Sequence, residues 1–519
     1  MAIALFFVGI FGPAGTITAP LTAFATNTDQ QANLSDAEIA EQKRQEEPID
    51  TNTVRGWPQG PVISAQAAIL MDADSGTILY AKNIHQHLYP ASTTKMMTCI
   101  LAVENCSLDE DVTISADAVS AVPSDGSSIG SNPGDVMPMS ECLYAILVAS
   151  ANEIANAVGE HIAGDERSFV FMMNQKARAL GCEDTHFANA NGLHDSDHYT
   201  SAYDLALIAR EFFKNDTLFR IGNTASHHFV ATDTRSQDFT QVNKHKLITG
   251  EVAYSGIIGG KTGYTSAAMQ TLVTGCERDG MRLICVVLKE DNPTQFSDTV
   301  TLLDYGYSNF TSVKIAEADT TYAIGGNNFF ETGRSIFAGL DSIFYLDENA
   351  TAVIPKHVNF NDLESELEFV TDEDKPDHLA NVIYRYNGQQ VGTSSLYASE
   401  GFLDQIREGK ASLVSGETES ETESGTEPPE EELLTEGMPI GLGINQRGPK
   451  IILVNVKTVV IFTAAIGAGM MLLMFIYAAL TSREDLYRER RRLKQMRRDQ
   501  KIMRRNEKKE RRHRMRHRY

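Results

Sequence analysis

The chain has 519 residues with 42% apolar and 22% charged positions, which is material for more than one core and excludes a wholly disordered protein. Its formal charge of −23 is unevenly placed: residues 483–519 hold 18 Lys and Arg against 6 Asp and Glu, a local +12 that leaves −35 on residues 1–482. An acidic body excludes broad binding of nucleic acid or an anionic membrane by the body itself, and no nucleic-acid partner is expected.

Met1 to Phe11 is an apolar run, and Ala23-Phe24-Ala25 before Thr26 has the form of an export cleavage site. No Lys or Arg precedes Lys43, so residues 1–25 are expected to be a signal peptide whose basic start lies upstream. Gly12, Pro13, Gly15 and Pro20 weigh against an uncleaved span. Residues 26–60 read as a polar lead segment ending near Trp57, and residues 61–308 as the main α/β domain. Within it, 65–83 predicts strand, tight turn at Asp74-Ser75-Gly76, strand. After Pro90, Met96, Ile100 and Val103 recur at helical spacing, and helical patterns follow at 139–163, 167–180 and 201–214. Two apolar runs, Thr271–Cys276 and Leu283–Leu288, flank a turn at Arg278-Asp279-Gly280. Strands at both ends with helices between predict an antiparallel sheet carrying helices on its faces.

From 309 to 410 the helical period disappears, and short runs (Ser342–Leu346, Ala352–Pro355, Leu367–Val370, Asn381–Tyr386) predict a small all-β domain. Residues 411–450 read as an acidic tether, since 411–440 contains nine Glu and no Lys or Arg. Within 451–482, Val459 to Leu480 is a run of 22 residues without a charge, about 33 Å as a helix and long enough for one hydrocarbon core. The basic stretch 483–519 follows, and positive flanks stay cytoplasmic, which predicts a single-pass protein of the cell membrane with its acidic body outside. The tail is read as a topogenic and lipid-headgroup anchor. Cys99, Cys106, Cys142, Cys182, Cys276 and Cys285 are too sparse for a disulfide framework, and no C-x-x-C pair announces zinc. Cys99, Cys142 and Cys285 sit in apolar runs and read as small core residues.

Three short motifs carry chemistry. Ser92 and Lys95 stand three apart at a helix start, so the amine lies beside the hydroxyl. Serine needs a base to become a nucleophile, and a desolvated lysine can be that base. Ser150-Ala151-Asn152 offers a hydroxyl to relay a proton and an amide to hold a substrate amide; the bland alternative is a helix N-cap. Lys261-Thr262-Gly263, followed by Tyr264, offers a cation and a hydroxyl for a carboxylate and a glycine against which a peptide can lie. A phosphate loop would need glycine where Ser255 stands. This ordered set, S-x-x-K, an S-x-N triplet and K-T-G, resembles that of penicillin-binding proteins and class A β-lactamases.

The stretches around the motifs, among them YPASTTKMMT, SSIGSNPGD, SANEIANAVGEHIAG, FANANGLHDSDHYTSAYDLALIAR and GGKTGYT, closely resemble the D-alanyl-D-alanine carboxypeptidases, low-molecular-mass penicillin-binding proteins, over roughly residues 57–310. The resemblance implies a transpeptidase/β-lactamase-like fold followed by a smaller β domain. It implies a serine-type carboxypeptidase that removes the terminal D-alanine from peptidoglycan stem pentapeptides through an acyl-serine, with β-lactam antibiotics as inhibitors. By the same resemblance Ser92 is the nucleophile, Lys95 its base and Ser150 a proton relay. Asn152 holds the acyl-side amide, Lys261 and Thr262 bind the terminal carboxylate, and Gly263 lies under the peptide. The N–H groups of Ser92 and Tyr264 form the oxyanion hole. No cofactor or metal is implied, and His194 and His198 are read as structural. The sequence departs from the family at Glu153, where Asp is frequent, at Ala268-Met269, where Ala-Gly is usual, and in its spanning C-terminus. A β-lactamase of the same fold would need a carboxylate for deacylation, and Glu211…Asn215 sits too far along in an amphipathic helix. A silent penicillin-binding scaffold is the other rival, against which every reactive residue is intact.

Overall fold

The computed structural model describes residues 35–231, 237–319, 321, 344–370 and 377–400. The expected signal peptide, the tether, the uncharged run 459–480 and the basic tail lie outside the described residues. Among the described residues no helix is long and apolar enough to cross a membrane.

A five-stranded sheet organises the main domain. Its strands are β1 (Ala67–Asp72), β2 (Ile78–Lys82), β7 (Ile257–Thr265), β8 (Met269–Arg278) and β9 (Met281–Glu290), in the order β2-β1-β9-β8-β7 with every neighbour antiparallel. Two small two-stranded sheets, β3 (Asp111–Thr113) with β4 (Val136–Pro138) and β5 (Ser226–Phe229) with β6 (Phe239–Val242), stand apart from it. The continuous apolar runs have a physical cause: both faces of the central strands are buried. Ile69 and Met71 on β1, with Ile284, Val286 and Leu288 on β9, face one apolar cluster. Ala68 and Leu70, with Leu283, Cys285 and Val287, face the other.

The first cluster is built with helices α2 (Lys95–Asn105), α3 (Asn152–Ala163), α4 (Glu166–Ala179) and α5 (Ala202–Lys214), while the second includes Leu302 and Leu303 of α6 (Thr294–Asn309); α1 (Asp36–Glu46) lies ahead of them in the chain. The layering is α/β/α, as the sequence predicts.

The lead segment is more than a polar link. Helix α1 opens on a capping box between Ser35 and Glu38, and its Arg44 is buried, donating Nε to Ser64 O at 2.9 Å and pairing with Asp291. Trp57 is also buried; its Nε1 donates to Leu79 O at 2.9 Å and its ring stands 5.1 Å from Phe310.

The following β region forms a six-stranded sheet: β10 (Phe310–Lys314), β11 (Phe344–Leu346), β12 (Thr351–Pro355), β13 (Glu364–Phe369), β14 (His378–Tyr386) and β15 (Gln389–Ala398), in the order β10-β12-β15-β14-β13 with β11 on β15. Its inner residues Val353, Val382 and Val391 join the same apolar cluster as Trp57 and α6.

Helix prediction over 139–163 meets one break. A short helix Met139–Tyr144 widens into a π turn, Ala145–Ala149, and stops at Ser150, whose φ of 62° is left-handed. Helix α3 restarts at Asn152 with Ala151 as its N-cap, which has no polar side chain to cap with, so Ser150 closes the π turn and is not the N-cap of α3. Single π turns concentrate at functional sites, and a left-handed non-glycine residue is strained.

Candidate active site

The eight residues singled out in the sequence come together. Ser92, Ser150, Asn152, Thr262, Gly263 and Tyr264 line one cleft of about 810 Å³. Lys95 and Lys261 are almost fully buried.

Ser92 sits in a single 3-10 turn, Ala91–Thr94, that leads directly into α2. Its hydroxyl lies 3.1 Å from Lys95 Nζ. Lys95 Nζ also donates to Asn152 Oδ1 at 2.6 Å and to Asn191 O. Burial pushes the Lys95 amine well below the ordinary lysine range, and the charges of Lys261 and Lys244 push the same way. A neutral amine has two hydrogens and one lone pair. The two carbonyl acceptors engage the hydrogens, which leaves the lone pair to accept from Ser92 O–H.

Lys261 lies on β7, the edge strand of the sheet, so alternate backbone groups of β7 have no partner strand on that side among the described residues. Its Nζ donates to Ser150 Oγ at 3.1 Å and to Thr262 O at 2.8 Å. With its oxygen engaged by Lys261, Ser150 can turn its own proton towards the cleft. Burial, then the Lys244 charge, brings Lys261 down to about 7. Gly263 is required by distance: a Cβ there would lie 2.9 Å from Ser92 N and 2.3 Å from Thr271 Oγ1.

Glu153 is not among the residues that line the cleft. It is buried and its Oε1 accepts from Ser128 Oγ at 2.7 Å and Ile129 N at 2.8 Å, fastening the 127–135 loop beneath α3. His198 is buried and neutral, its pKa lowered to about 3 by burial. Its Nδ1 accepts from Ala188 N and its Nε2 donates to Thr94 Oγ1 at 2.8 Å, which steadies the turn of Ser92. His194 lines the cleft edge-on to Tyr89. Glu211 is engaged by Lys176 at 2.9 Å and Lys214, away from the cleft.

Sequence reasoning gave no role to three groups. Lys244 lines the cleft and donates to Ser127 Oγ at 2.7 Å; nothing in its spacing from the motifs marks it. Asn191 supplies the carbonyl that orients Lys95, a backbone role no side-chain pattern reveals. Gly192, at φ 82°, packs against Ala91, and the Asn-Gly pair in a loop was the available signal.

A family profile described as D-alanyl-D-alanine carboxypeptidase, peptidase S11, matches residues 55–292. The D-alanyl-D-alanine carboxypeptidase DacF of Bacillus subtilis is 31% identical over 345 residues, 65% of this chain and 85% of its own. DacB2 of Mycobacterium tuberculosis is 33% identical over 257 residues, 48% of this chain and 84% of its own. Among solved structures, penicillin binding protein 5 from Haemophilus influenzae superposes with a TM-score of 0.52 at 26% identity, covering 66% of this chain and 98% of that one. The chain belongs to the D-alanyl-D-alanine carboxypeptidase family, a family of serine-type hydrolases.

Proposed function

We propose that the chain removes the terminal D-alanine from peptidoglycan stem pentapeptides through an acyl-serine on Ser92. The observation that carries this reading is the Lys95 amine, buried and held by two carbonyls with its remaining direction on Ser92 Oγ. Ser92 Oγ attacks the penultimate D-alanine carbonyl as its proton passes to Lys95. Ser150 passes its proton to the departing amine and is refilled by the proton that Lys95 took, so Lys95 is neutral again, while the charged Lys261 holds Ser150 Oγ and the C-terminal carboxylate. Thr262 adds a hydroxyl to that carboxylate, Asn152 holds the acyl-side amide, and Gly263 lets the peptide lie along β7. The N–H groups of Ser92 and Tyr264 receive the oxyanion. Water then attacks the ester, its proton passing to the neutral Lys95 and from there to the departing Ser92 Oγ, which regenerates both residues.

The test is release of free D-alanine from a diacyl-L-Lys-D-Ala-D-Ala peptide by the full chain in detergent. Ser92→Ala is expected to cut release by at least about 10⁴-fold and to abolish covalent labelling by a β-lactam. A folded wild type that releases no D-alanine overturns the reading.

The two lysines set the pH dependence, with opposite signs. Lys95 works neutral, so activity is gained as pH rises through its lowered pKa. Lys261 works charged, so activity is lost as pH rises through about 7. A bell in kcat/KM is expected, with its falling limb near 7. A bound carboxylate favours the charged lysine, so the falling limb of kcat lies at higher pH. Lys261→Arg, which keeps its charge, is expected to lose the falling limb; a limb unchanged in that variant assigns it elsewhere.

We also propose that Val459–Leu480 spans the cell membrane, with the catalytic body on the outer face and the basic tail cytoplasmic. The support is the uncharged length and the charge step after it. Release of the chain from membranes by alkaline carbonate would contradict it.

A further inference from the structure

The mechanism above uses neither the far ends of α2 and α3 nor the loop that follows α2. Cys106 is the C-cap of α2, Glu110 stands four residues on, and His161 lies in the last turn of α3. A thiol sulfur, a carboxylate oxygen and an imidazole nitrogen from these residues all lie within 4.8 Å of one another. Glu110 Oε2 accepts from His161 Nε2 at 3.1 Å, and its Oε1 is fixed by Ser107 N at 2.6 Å. Cys106 Sγ stands beside the same carboxylate, within 4.8 Å. The carboxylate therefore stands between a thiol and an imidazole, at a point that a single divalent cation would fill.

We propose that Cys106, Glu110 and His161 form a zinc site, three protein ligands with the fourth position open to water, that ties the C-terminal end of α2 to that of α3.

The donor set selects the ion. Thiolate with imidazole suits a borderline-soft cation, whereas calcium and magnesium take oxygen ligands. Tetrahedral zinc needs its ligand atoms roughly 3.3–3.8 Å apart, which follows from bonds of about 2.0–2.3 Å, so side-chain rotations close the site from its present spacing. The ends are partly open: His161 is 27% and Glu110 43% exposed, so an ion has access. The surrounding chain is acidic, with Asp109 and Asp111 flanking Glu110, and draws cations in. Ser107 supplies the outer-shell donor that holds the carboxylate in place. Helix α2 is 11 residues, about 16 Å long, so the site is a clamp and not part of the chemistry at Ser92.

Binding exchanges a proton for metal: the Cys106 thiol loses its proton to solvent as the sulfur–zinc bond forms, the ring proton of neutral His161 moves from Nε2 to Nδ1 so that Nε2 can ligate, and no electron moves. A single cysteine contributes, which is why a search for paired cysteines passes over it. The other five cysteines are buried, so a thiolate–metal signal reports on Cys106.

The test titrates the reduced, metal-free full chain in detergent with cobalt(II), then displaces it with zinc. Expected are a thiolate-to-cobalt charge-transfer band and tetrahedral ligand-field bands at one equivalent, release of a proton in weak buffer, and a zinc-dependent rise in melting temperature. Cys106→Ser and His161→Ala, each checked for a cooperative melt, should both lose more than the roughly 10–100-fold in affinity that attaches to outer-shell partners. A folded wild type without the charge-transfer band overturns the proposal, as does unchanged affinity in either variant.

Discussion

Lys95→Ala lowers kcat/KM for D-alanine release by at least about 10³-fold, and Lys95→Arg lowers it as far. The pair separates two roles that a single alanine variant confounds. If the lysine serves as a fixed positive charge, arginine restores activity. If it takes the Ser92 proton, arginine cannot, because a guanidinium does not deprotonate in a protein. The structure argues for the base. Lys95 is fully buried, with the charges of Lys261 and Lys244 beside it and no carboxylate bonded to its amine among the described residues. Both of its other contacts are neutral carbonyls, which accept from an amine as well as from an ammonium.

Acylation by a chromogenic β-lactam, followed in the stopped flow, should fall in parallel with D-alanine release, since both depend on activating Ser92. Removing the side chain also leaves Asn152 Oδ1 and Asn191 O buried without their donor, at a cost of about 1–3 kcal/mol each. Melting curves must therefore accompany the kinetics. Lys95→Arg retaining more than a tenth of wild-type activity would remove the lysine from the proton path.

How far the sequence anticipates this site depends on how local each determinant is. Ser92 and Lys95 are legible because one helical turn fixes their relation. The strands β1, β8 and β9 are legible because burial on both faces gives them long, largely apolar runs, with Thr271 and Thr274 the buried polar residues of β8. The break at Ser150 is hidden for the opposite reason. Residues 145–149 are all apolar and buried, so the periodicity runs straight through the π turn, and what holds Ser150 is a contact with Lys261, 111 residues away. Helix α1 is hidden because it buries a charged residue, Arg44, on Asp291, 247 residues on. Strand β10 is masked by its polar residues after α6, and β15 by Thr393, Ser394 and Ser395 between its buried Val391 and Leu396. The span and the tail are charge-and-length readings, and they concern residues that the described structure does not reach.

Gly192→Ala is the sharpest test of how Ser92 is held in place. A Cβ at Gly192 would lie 1.9 Å from Ala91 O and 2.5 Å from Ala91 C. Ala91 cannot simply give way. It is itself left-handed at φ 51°, and it precedes Ser92 in a single 3-10 turn whose Thr94 is fixed by His198. The displacement is therefore passed to Ser92 Oγ, and a misplacement of about 1 Å at the reacting atom costs about 10²-fold in kcat/KM. Gly181→Ala supplies the control. Its φ of 83° matches the 82° of Gly192, so the backbone strain of about 1–2 kcal/mol is common to both. Its Cβ would meet only Leu207 Cδ1, at 4.0 Å. Both variants should melt earlier than wild type, but only Gly192→Ala should lose D-alanine release and β-lactam acylation together. Equal loss in the two would mean that stability, and not the position of the Ser92 turn, limits the enzyme.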